Sequence, residues 1–247
     1  MTDPQIPPFR KEKFRIRQNE VTREGFLRVN VFFDYMQEIA ACHAEEIGVG
    51  FRTLCENGMM WVLSRLKLQI TRTPRIGETI EIMTYPSGFE RLFATREFSF
   101  TDENGMEIAA ASSCWLLLDS AKFRPLKPSV SLPAKLPDNS MRKRNFTGLD
   151  KLGRETVSDP MEFPVLESMI DVNRHMNNAH YVTHVFDWLS KKSGSVPELS
   201  EIQVNFIAST APGAVLTAFG TLEENKFYVE CLQGEELHFQ AAGLLKT

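Results

Sequence analysis

Apolar residues recur at two different spacings along the chain. In residues 27–48 they follow the spacing of one face of a helix. The stripe consists of Phe32, Met36, Ile39 and His43. Residues 59–88 and 91–119 instead carry short apolar runs interrupted by turn residues, and the dipeptide Asn104-Gly105 favours a hairpin in the second segment. The first half is therefore predicted to be a helix followed by two pairs of antiparallel strands.

The second half repeats this order. A helical pattern closes residues 171–190, and strand pairs are predicted in residues 199–224 and 226–247. Corresponding landmarks are Asn30 and Asn173, Gly77 and Gly213, and Gly105 and Gly234. Similar spacings in the same order indicate two copies of one helix-plus-sheet unit.

One long helix and one twisted sheet per unit can bury each other, and two such sheets can pair edge to edge. We therefore predict an α+β fold of the double hot dog type. The predicted N-terminal unit spans residues 1–120 and frames an apolar cavity, and the predicted C-terminal unit spans residues 167–247 and carries the chemistry. Residues 121–166 are rich in proline and are expected to form a linker across the surface.

Composition narrows the partners that the protein is expected to have. The chain has 247 residues, of which 43% are hydrophobic, and a net charge of −4, which favours neither nucleic acid nor an anionic membrane. The first residues lack the apolar core of a signal peptide, and the longest weakly polar run, 108–118, is far shorter than the roughly 20 residues that span a bilayer. Four widely spaced cysteines suit free thiols, so a cytoplasmic protein is expected.

No motif for a cofactor or a metal is present in the sequence. Phosphate-binding glycine loops, the nucleophile elbow and paired cysteine ligands are all absent. His180, His184 and Asp187 share one helix face, which we predict to be a solvated stripe and not a metal site. His43 lies on the apolar stripe of the first helix and is predicted to be a core histidine.

The polar cluster before the second helix is the strongest candidate for chemistry. Asp171, Asn173 and His175 alternate along the chain, and an extended segment would place all three side chains on one face. The helix is expected to begin near Asn177 or Asn178, which are good N-cap residues. Its free N–H groups would then support a developing oxyanion beside the three side chains.

Two interpretations of this cluster are open. The residues can form a capping turn stapled by an Asp171–His175 contact, or they can hydrolyse an activated acyl group. The corresponding positions of the first unit, as predicted from the Asn30–Asn173 alignment, are Arg28, Asn30 and Phe32. The first unit lacks the acid and the imidazole there, which favours the chemical interpretation for the second.

At this point the sequence resembles a known family. The pattern D-x-N-x-H-x-N-N-x-x-Y in residues 171–181 is similar to the signature of acyl–acyl carrier protein (acyl-ACP) thioesterases of the plant type and their bacterial relatives. Residues 61–88 and 109–115 resemble that family's first domain in the same order. The resemblance implies a double hot dog and hydrolysis of fatty acyl-ACP to free fatty acid and holo-ACP, which ends chain elongation. It also assigns catalysis to Asp171, Asn173 and His175.

The chain departs from the family pattern on the next strand. Plant members carry Glu followed by Cys where this chain has Ile207 and Ala208. We therefore expect attack by water, with Asp171 as base or covalent nucleophile, Asn173 positioning the reactants and His175 bonded to water or to the developing charge. Whether Asp171 or His175 is the base stays open.

Substrate contacts are predicted at three further places. Thioether and aromatic groups that suit an alkyl chain, although ordinary core packing explains each equally well, are Phe33, Met36, Met59, Met60 and Trp61. Basic residues that suit the acidic surface of a carrier protein, with a solvated linker as the alternative, are Arg142, Lys143 and Arg144. A helix-terminal support for the oxyanion is expected from Asn177 and Asn178.

Alternative functions are a non-catalytic module that binds acyl chains or acyl-ACP, and an acyl-CoA thioesterase. The expected protein needs no cofactor and is a monomer or a homodimer.

Overall fold

The computed structural model describes residues 6–246, and these fold into one antiparallel sheet with helices on one face. The strands are β1 (Arg10–Arg15), β2 (Met59–Ile70), β3 (Thr79–Glu90), β4 (Phe93–Thr101), β5 (Glu107–Asp119), β6 (Pro125–Leu126), β7 (Ser158–Pro164), β8 (Leu199–Phe206), β9 (Val215–Glu223), β10 (Lys226–Gln233) and β11 (Glu236–Leu245). The helices are α1 (Val29–Glu46), α2 (Phe51–Glu56), α3 (Pro128–Ser131) and α4 (Asn178–Ser193). The strand order is β1-β3-β4-β5-β2-β8-β11-β10-β9-β7, and β6 pairs with β5.

The two units meet through the pairing of β2 with β8. Arg65 lies opposite Asn205 and Gln69 lies opposite Glu201 in this antiparallel ladder. Each unit alone would leave that strand as an exposed edge, and the pairing satisfies both edges at once. The predicted α+β double hot dog with edge-to-edge sheets is confirmed.

The long helices bury their apolar stripes against the inner face of the sheet. Phe32, Met36 and Ile39 of α1 are at most 1% exposed, and Val182 and Val185 of α4 are equally buried. Both helices contribute to a single hydrophobic cluster and contact each other. The core of the molecule is therefore continuous across the two units.

His43 is the core histidine that its position predicts. Its ring is fully buried, Nε2 donates to the carbonyl oxygen of Pro7 (3.0 Å), and Nδ1 accepts from the guanidinium of Arg96 (3.1 Å). Both ring nitrogens thus have a partner, as a buried imidazole requires.

The structural repeat has a different register from the one predicted. α1 and α4 begin at Val29 and Asn178, so equivalent residues near the helix starts differ by 149 in number. The alignment of Asn30 with Asn173, which differ by 143, is wrong by six positions. It matched two Val-Asn dipeptides, although the one at Asn30 lies inside a helix and the one at Asn173 precedes one.

The linker is shorter than predicted. Both β6 and β7 lie inside the predicted linker 121–166. β6 pairs with β5 of the first unit, whereas β7 pairs with β9 of the second unit. The linker boundaries predicted at residues 120 and 166 therefore move toward each other. The edge strands were missed because β1 carries mostly charged residues and β7 carries charged residues and prolines in place of an apolar alternation.

Residues 139–154, called the strap below, cross the outer face of the sheet. The backbone N–H of Asn145 donates to the buried carboxylate of Glu97 (3.0 Å), and Arg154 forms an ion pair with buried Glu230 (2.5 Å). Glu97 neighbours Arg96, which faces α1, so the strap lies on the side away from the helices. It is anchored to both units.

In residues 6–246, no helix has the length and apolarity needed to cross a membrane.

Replacing Gly243 by Ala should destabilise the junction between β8 and β11. An added Cβ would lie 2.1 Å from the carbonyl oxygen of Glu201 and 2.8 Å from the ring of Phe227. Because the nearest atom is backbone, the strands must separate, and we expect a loss of about 1–3 kcal/mol in the free energy of unfolding by urea. Gly153→Ala is the control, since nothing lies within 4 Å of its added Cβ. Equal stability of the two variants would contradict this packing.

Candidate active site

Residues 171–176 form a tight turn and not the extended segment that the alternation predicted. The N–H of Asp171 donates to the carbonyl of His175 (3.0 Å), and the N–H of Arg174 donates to the carbonyl of Asp171 (2.9 Å). Arg174 adopts a positive φ of 64°. Within the turn the Asp171 carboxylate accepts from the N–H of Asn173 (2.8 Å), a local bond for which aspartate is well suited.

The start of α4 lies where the sequence predicts it. Asn177 is the N-cap, and its Oδ1 accepts from the N–H of Ala179 (2.9 Å), while Asn178 is the first helical residue. Gln37 of α1 donates to Asn177 Oδ1 (3.2 Å) and accepts from Asn178 Nδ2 (3.1 Å). The first unit therefore holds the entrance of the second unit's helix. Gln37 could not be found from sequence, because only the packing of α1 beside α4 brings it there.

The first unit contains the same turn without the same chemistry. Residues 22–27 repeat the hydrogen bonds of residues 171–176, including the N–H of Thr22 to the carbonyl of Phe26 (2.8 Å). The positions of the acid, the amide and the imidazole are taken by Thr22, Glu24 and Phe26. The turn thus forms with a hydroxyl in place of the Asp171 carboxylate and a phenyl ring in place of the His175 imidazole, so formation of the turn does not explain Asp171 and His175.

A large cavity connects the turn with the first unit. Its volume is about 1770 Å³, and Asp171, Asn173 and His175 all line it. Asp171 and His175 are half-buried and Asn173 is exposed. Among residues 6–246, no hydrogen bond reaches the second carboxylate oxygen of Asp171 or the His175 ring. Both groups are therefore available to a substrate.

Of the residues predicted to contact an alkyl chain, three line this cavity and two do not. Met59, Met60 and Trp61 lie in its wall on β2. Phe33 and Met36 are 1% exposed and belong to the hydrophobic core, so the prediction is corrected at these two positions. They share the stripe of α1 that faces the sheet, whereas the cavity meets another face of the same helix.

Comparison with known proteins agrees with this geometry. The family model for the acyl-ACP thioesterase N-terminal domain matches residues 8–129, and the model for the C-terminal domain matches residues 153–239. The chain belongs to the acyl-ACP thioesterase family. The resemblance drawn from residues 171–181 is thereby confirmed.

Curated members of the family are distant relatives. An oleoyl-acyl carrier protein thioesterase of Arabidopsis thaliana is 24% identical over 79% of this chain and 59% of its own length. A thioesterase of the same description from Coriandrum sativum is 27% identical over 79% of this chain and 58% of its own. The chain thus spans somewhat more than half the length of the curated relatives it matches.

Solved structures show the same fold. An acyl-ACP thioesterase of Bacteroides thetaiotaomicron superposes with a TM-score of 0.78 at 23% identity, covering 97% of this chain and 98% of that one. A 12:0-ACP thioesterase of Umbellularia californica reaches 0.80 at 19% identity, with the same coverage of both chains.

The basic stretch of this acyl-ACP thioesterase family member lies on the strap. Arg142 stacks over the ring of Phe9 at 4.4 Å, Arg144 forms an ion pair with Glu90 (2.6 Å), and Lys143 is exposed. All three charges have a partner within the chain, since Lys143 lies 3.6 Å from the carboxylate of Glu107, and all three lie on the face of the sheet away from the helices. Their placement weighs against the predicted contact with a carrier protein, which stays a prediction.

The face of α4 predicted to be a solvated stripe is partly buried. His184 is 3% exposed and stacks on Phe163, with 4.1 Å between ring centroids. Among the described residues, neither of its ring nitrogens has a hydrogen-bond partner. The prediction of an exposed stripe is wrong at this position because β7, which the sequence analysis missed, covers it. Within residues 6–246 no three side chains are grouped as metal ligands.

Acid should destabilise the fold through His184. Burial lowers the pKa of this imidazole to about 4, below its ordinary value near 6.5, so its proton binds preferentially to the unfolded chain. The titration of His184 does not lower the free energy of unfolding above pH 6.5, but it does so increasingly as the pH falls toward 4. The loss is roughly 2 kcal/mol at pH 5.

We expect His184→Leu to show less loss of stability between pH 7.5 and pH 5 than the parent chain, measured by urea unfolding. Thr183→Ala, a neighbouring change without a titratable group, should keep the full pH dependence. An unaltered pH dependence in His184→Leu would show that folding does not lower the pKa of this imidazole.

Proposed function

We propose that the protein hydrolyses the thioester of fatty acyl-ACP and releases free fatty acid and holo-ACP, which ends chain elongation. One observation carries this proposal. The same turn occurs twice, and only the copy that borders the large cavity beside Gln37 and α4 has a carboxylate and an imidazole. Family membership supports the same reaction class.

The relatives differ in the acyl chain that they are named for, oleoyl in Arabidopsis and 12:0 in Umbellularia. Neither chain length is carried over to this protein. The cavity volume of about 1770 Å³ leaves room for long and medium chains alike.

The residues of the turn support attack by water. One oxygen of Asp171 is held by the N–H of Asn173, which leaves the other free to take a proton from a water molecule. The hydroxide attacks the thioester carbon, and the carbon–sulfur bond of the tetrahedral intermediate then breaks. Asp171 returns its proton to the departing thiolate. His175 hydrogen-bonds the water or the developing oxyanion, and Asn173 positions the reactants.

Asp171→Asn and His175→Ala should each lower kcat on acyl-ACP by at least about 100-fold, as expected for the loss of an acid–base group. Asparagine keeps the oxygen that accepts from the N–H of residue 173, so Asp171→Asn removes the charge and preserves the turn. Glu24→Ala alters the equivalent turn of the first unit and should leave the rate unchanged. Release of free thiol measures all three rates.

Full activity of both second-unit variants would refute the assignment of the site. Loss of activity in Glu24→Ala to the same degree would show that the turns matter for structure alone.

A binding module without catalysis is the second candidate, and the residues that follow β8 favour it. Ile207 and Ala208 line the cavity without an acidic or nucleophilic group. Turnover decides between the two functions. We expect hydrolysis of acyl-ACP in a panel of chain lengths, with slower hydrolysis of the matching acyl-CoA esters because these lack the protein surface of the carrier.

Tight binding of acyl-ACP without turnover of any chain would establish the binding module. Faster turnover of acyl-CoA would make the protein an acyl-CoA thioesterase.

We also propose a cytoplasmic protein that acts as a monomer or homodimer. All four cysteines are free thiols, which suits a reducing compartment, and the two fused units already supply the paired sheets of a hot dog dimer.

A further inference from the structure

A buried chain of hydrogen bonds stands behind the catalytic turn. Thr210 is fully buried, and its hydroxyl lies 2.7 Å from the hydroxyl of Tyr181 and 2.7 Å from Nδ1 of His238. Its carbonyl oxygen accepts from the N–H of Met176 (2.9 Å), the residue that follows His175. Thr210 therefore connects the catalytic turn, α4 and β11.

The distances determine which group donates and which accepts in each of these hydrogen bonds. If His238 Nδ1 donated to Thr210, Thr210 would donate to Tyr181, and Tyr181 would be left with the carbonyl of Ala208 at 3.5 Å. That distance is too long for a good O–H···O bond. In the opposite direction Tyr181 donates to Thr210, and Thr210 donates to His238 Nδ1. The proton of the neutral imidazole then resides on Nε2.

The first unit again provides the comparison, because backbone hydrogen bonds identify the equivalent positions. The N–H of Leu27 donates to Pro74 as that of Met176 donates to Thr210. Ile108 accepts two backbone N–H groups at the end of β2, as His238 does at the end of β8. Phe32 precedes Tyr181 by the helix offset of 149.

All three polar groups thus have apolar counterparts in the first unit. The pairs are Phe32 and Tyr181, Pro74 and Thr210, and Ile108 and His238. The first unit forms the same turn with these apolar residues, so the turn does not need these polar hydrogen bonds for its support. A buried polar network is costly to satisfy, and its restriction to the unit that carries Asp171 and His175 points to chemistry.

His238 lies in the wall of the same cavity as the turn. The residue is 3% exposed and belongs to the cavity wall, together with His175 and Ala208. Nε2 has no hydrogen-bond partner among the described residues, and the carboxylate of Glu236 lies 3.7 Å away. Burial lowers the pKa of His238, so the imidazole is neutral near pH 7 and its Nε2–H can act as a fixed donor.

We propose that His238 is a further catalytic residue, whose Nε2–H, oriented by Thr210 and Tyr181, donates a hydrogen bond to the thioester oxygen as negative charge develops on it. No proton is transferred by His238, and the reaction otherwise follows the steps given above. The inference rests on the proposed thioesterase activity. It assigns to β11 a polar contribution that Ile207 and Ala208, which follow β8, do not supply.

The test uses His238→Ile in the full chain, because Ile108 shows that this fold accepts isoleucine at the equivalent position. We expect kcat on acyl-ACP to fall about 100- to 1000-fold, as for the loss of an oxyanion donor, with KM nearly unchanged. His238→Gln, whose amide can donate from a similar place, should recover part of the rate. Thr210→Val should lower kcat less, because the imidazole remains but loses its orientation.

His184→Leu is the matched control, since it removes another buried histidine of the same unit outside the cavity wall. A wild-type kcat in His238→Ile overturns the proposal, and so does a change confined to KM. If His238→Ile fails to fold, Thr210→Val and His238→Gln decide, and wild-type rates in both overturn it. An inactive parent chain would refute the proposed function itself, whereas an active parent with an equally active His238→Ile would refute only the role of His238.

Discussion

The pairing of β2 with β8 is the constraint on which the site depends. It makes one sheet from two units and sets α1 beside α4 on the inner face. Only in this arrangement does Gln37 reach the two asparagines at the start of α4, and only then does a cavity run from the first unit to the turn of the second. An isolated second unit would have Asp171, Asn173 and His175 without the wall opposite them.

The repeat of one structural unit allows equivalent positions to be compared within a single molecule. Features of the second unit can be compared with positions of the same backbone geometry in the first unit. The turn at residues 22–27 shows which hydrogen bonds belong to the fold, and the differences at residues 171–175 show what has been added to it. Similarly, Ile108 identifies His238 as an addition to a position that the fold fills with an apolar side chain.

Much of this arrangement could be predicted from the sequence, and the failures have physical causes. Helical periodicity located α1 and α4, and Asn177 was recognisable as an N-cap because its side-chain chemistry is local. The edge strands β1 and β7 were missed because they have little buried surface and so no apolar alternation. The burial of His184 followed from β7 and was missed with it.

The site itself was predicted in part. Asp171, Asn173 and His175 were proposed from their pattern, but their conformation was not predicted, because alternation fits a strand as well as it fits an irregular turn closed by a side chain. Gln37, Thr210 and His238 carry no local signal. They are brought to the site by contacts between elements far apart in sequence, which no window of residues contains.

The strap has a consequence for how the molecule unfolds. It binds a buried carboxylate in each unit, so detaching either unit breaks the β2–β8 ladder and also strips a covering segment from the other. The two halves should therefore unfold as one cooperative block, although each has its own helix and sheet. A partly open state with one half intact would expose a long strand edge and an unpaired buried charge, and its free energy should place it close to that of the fully unfolded chain.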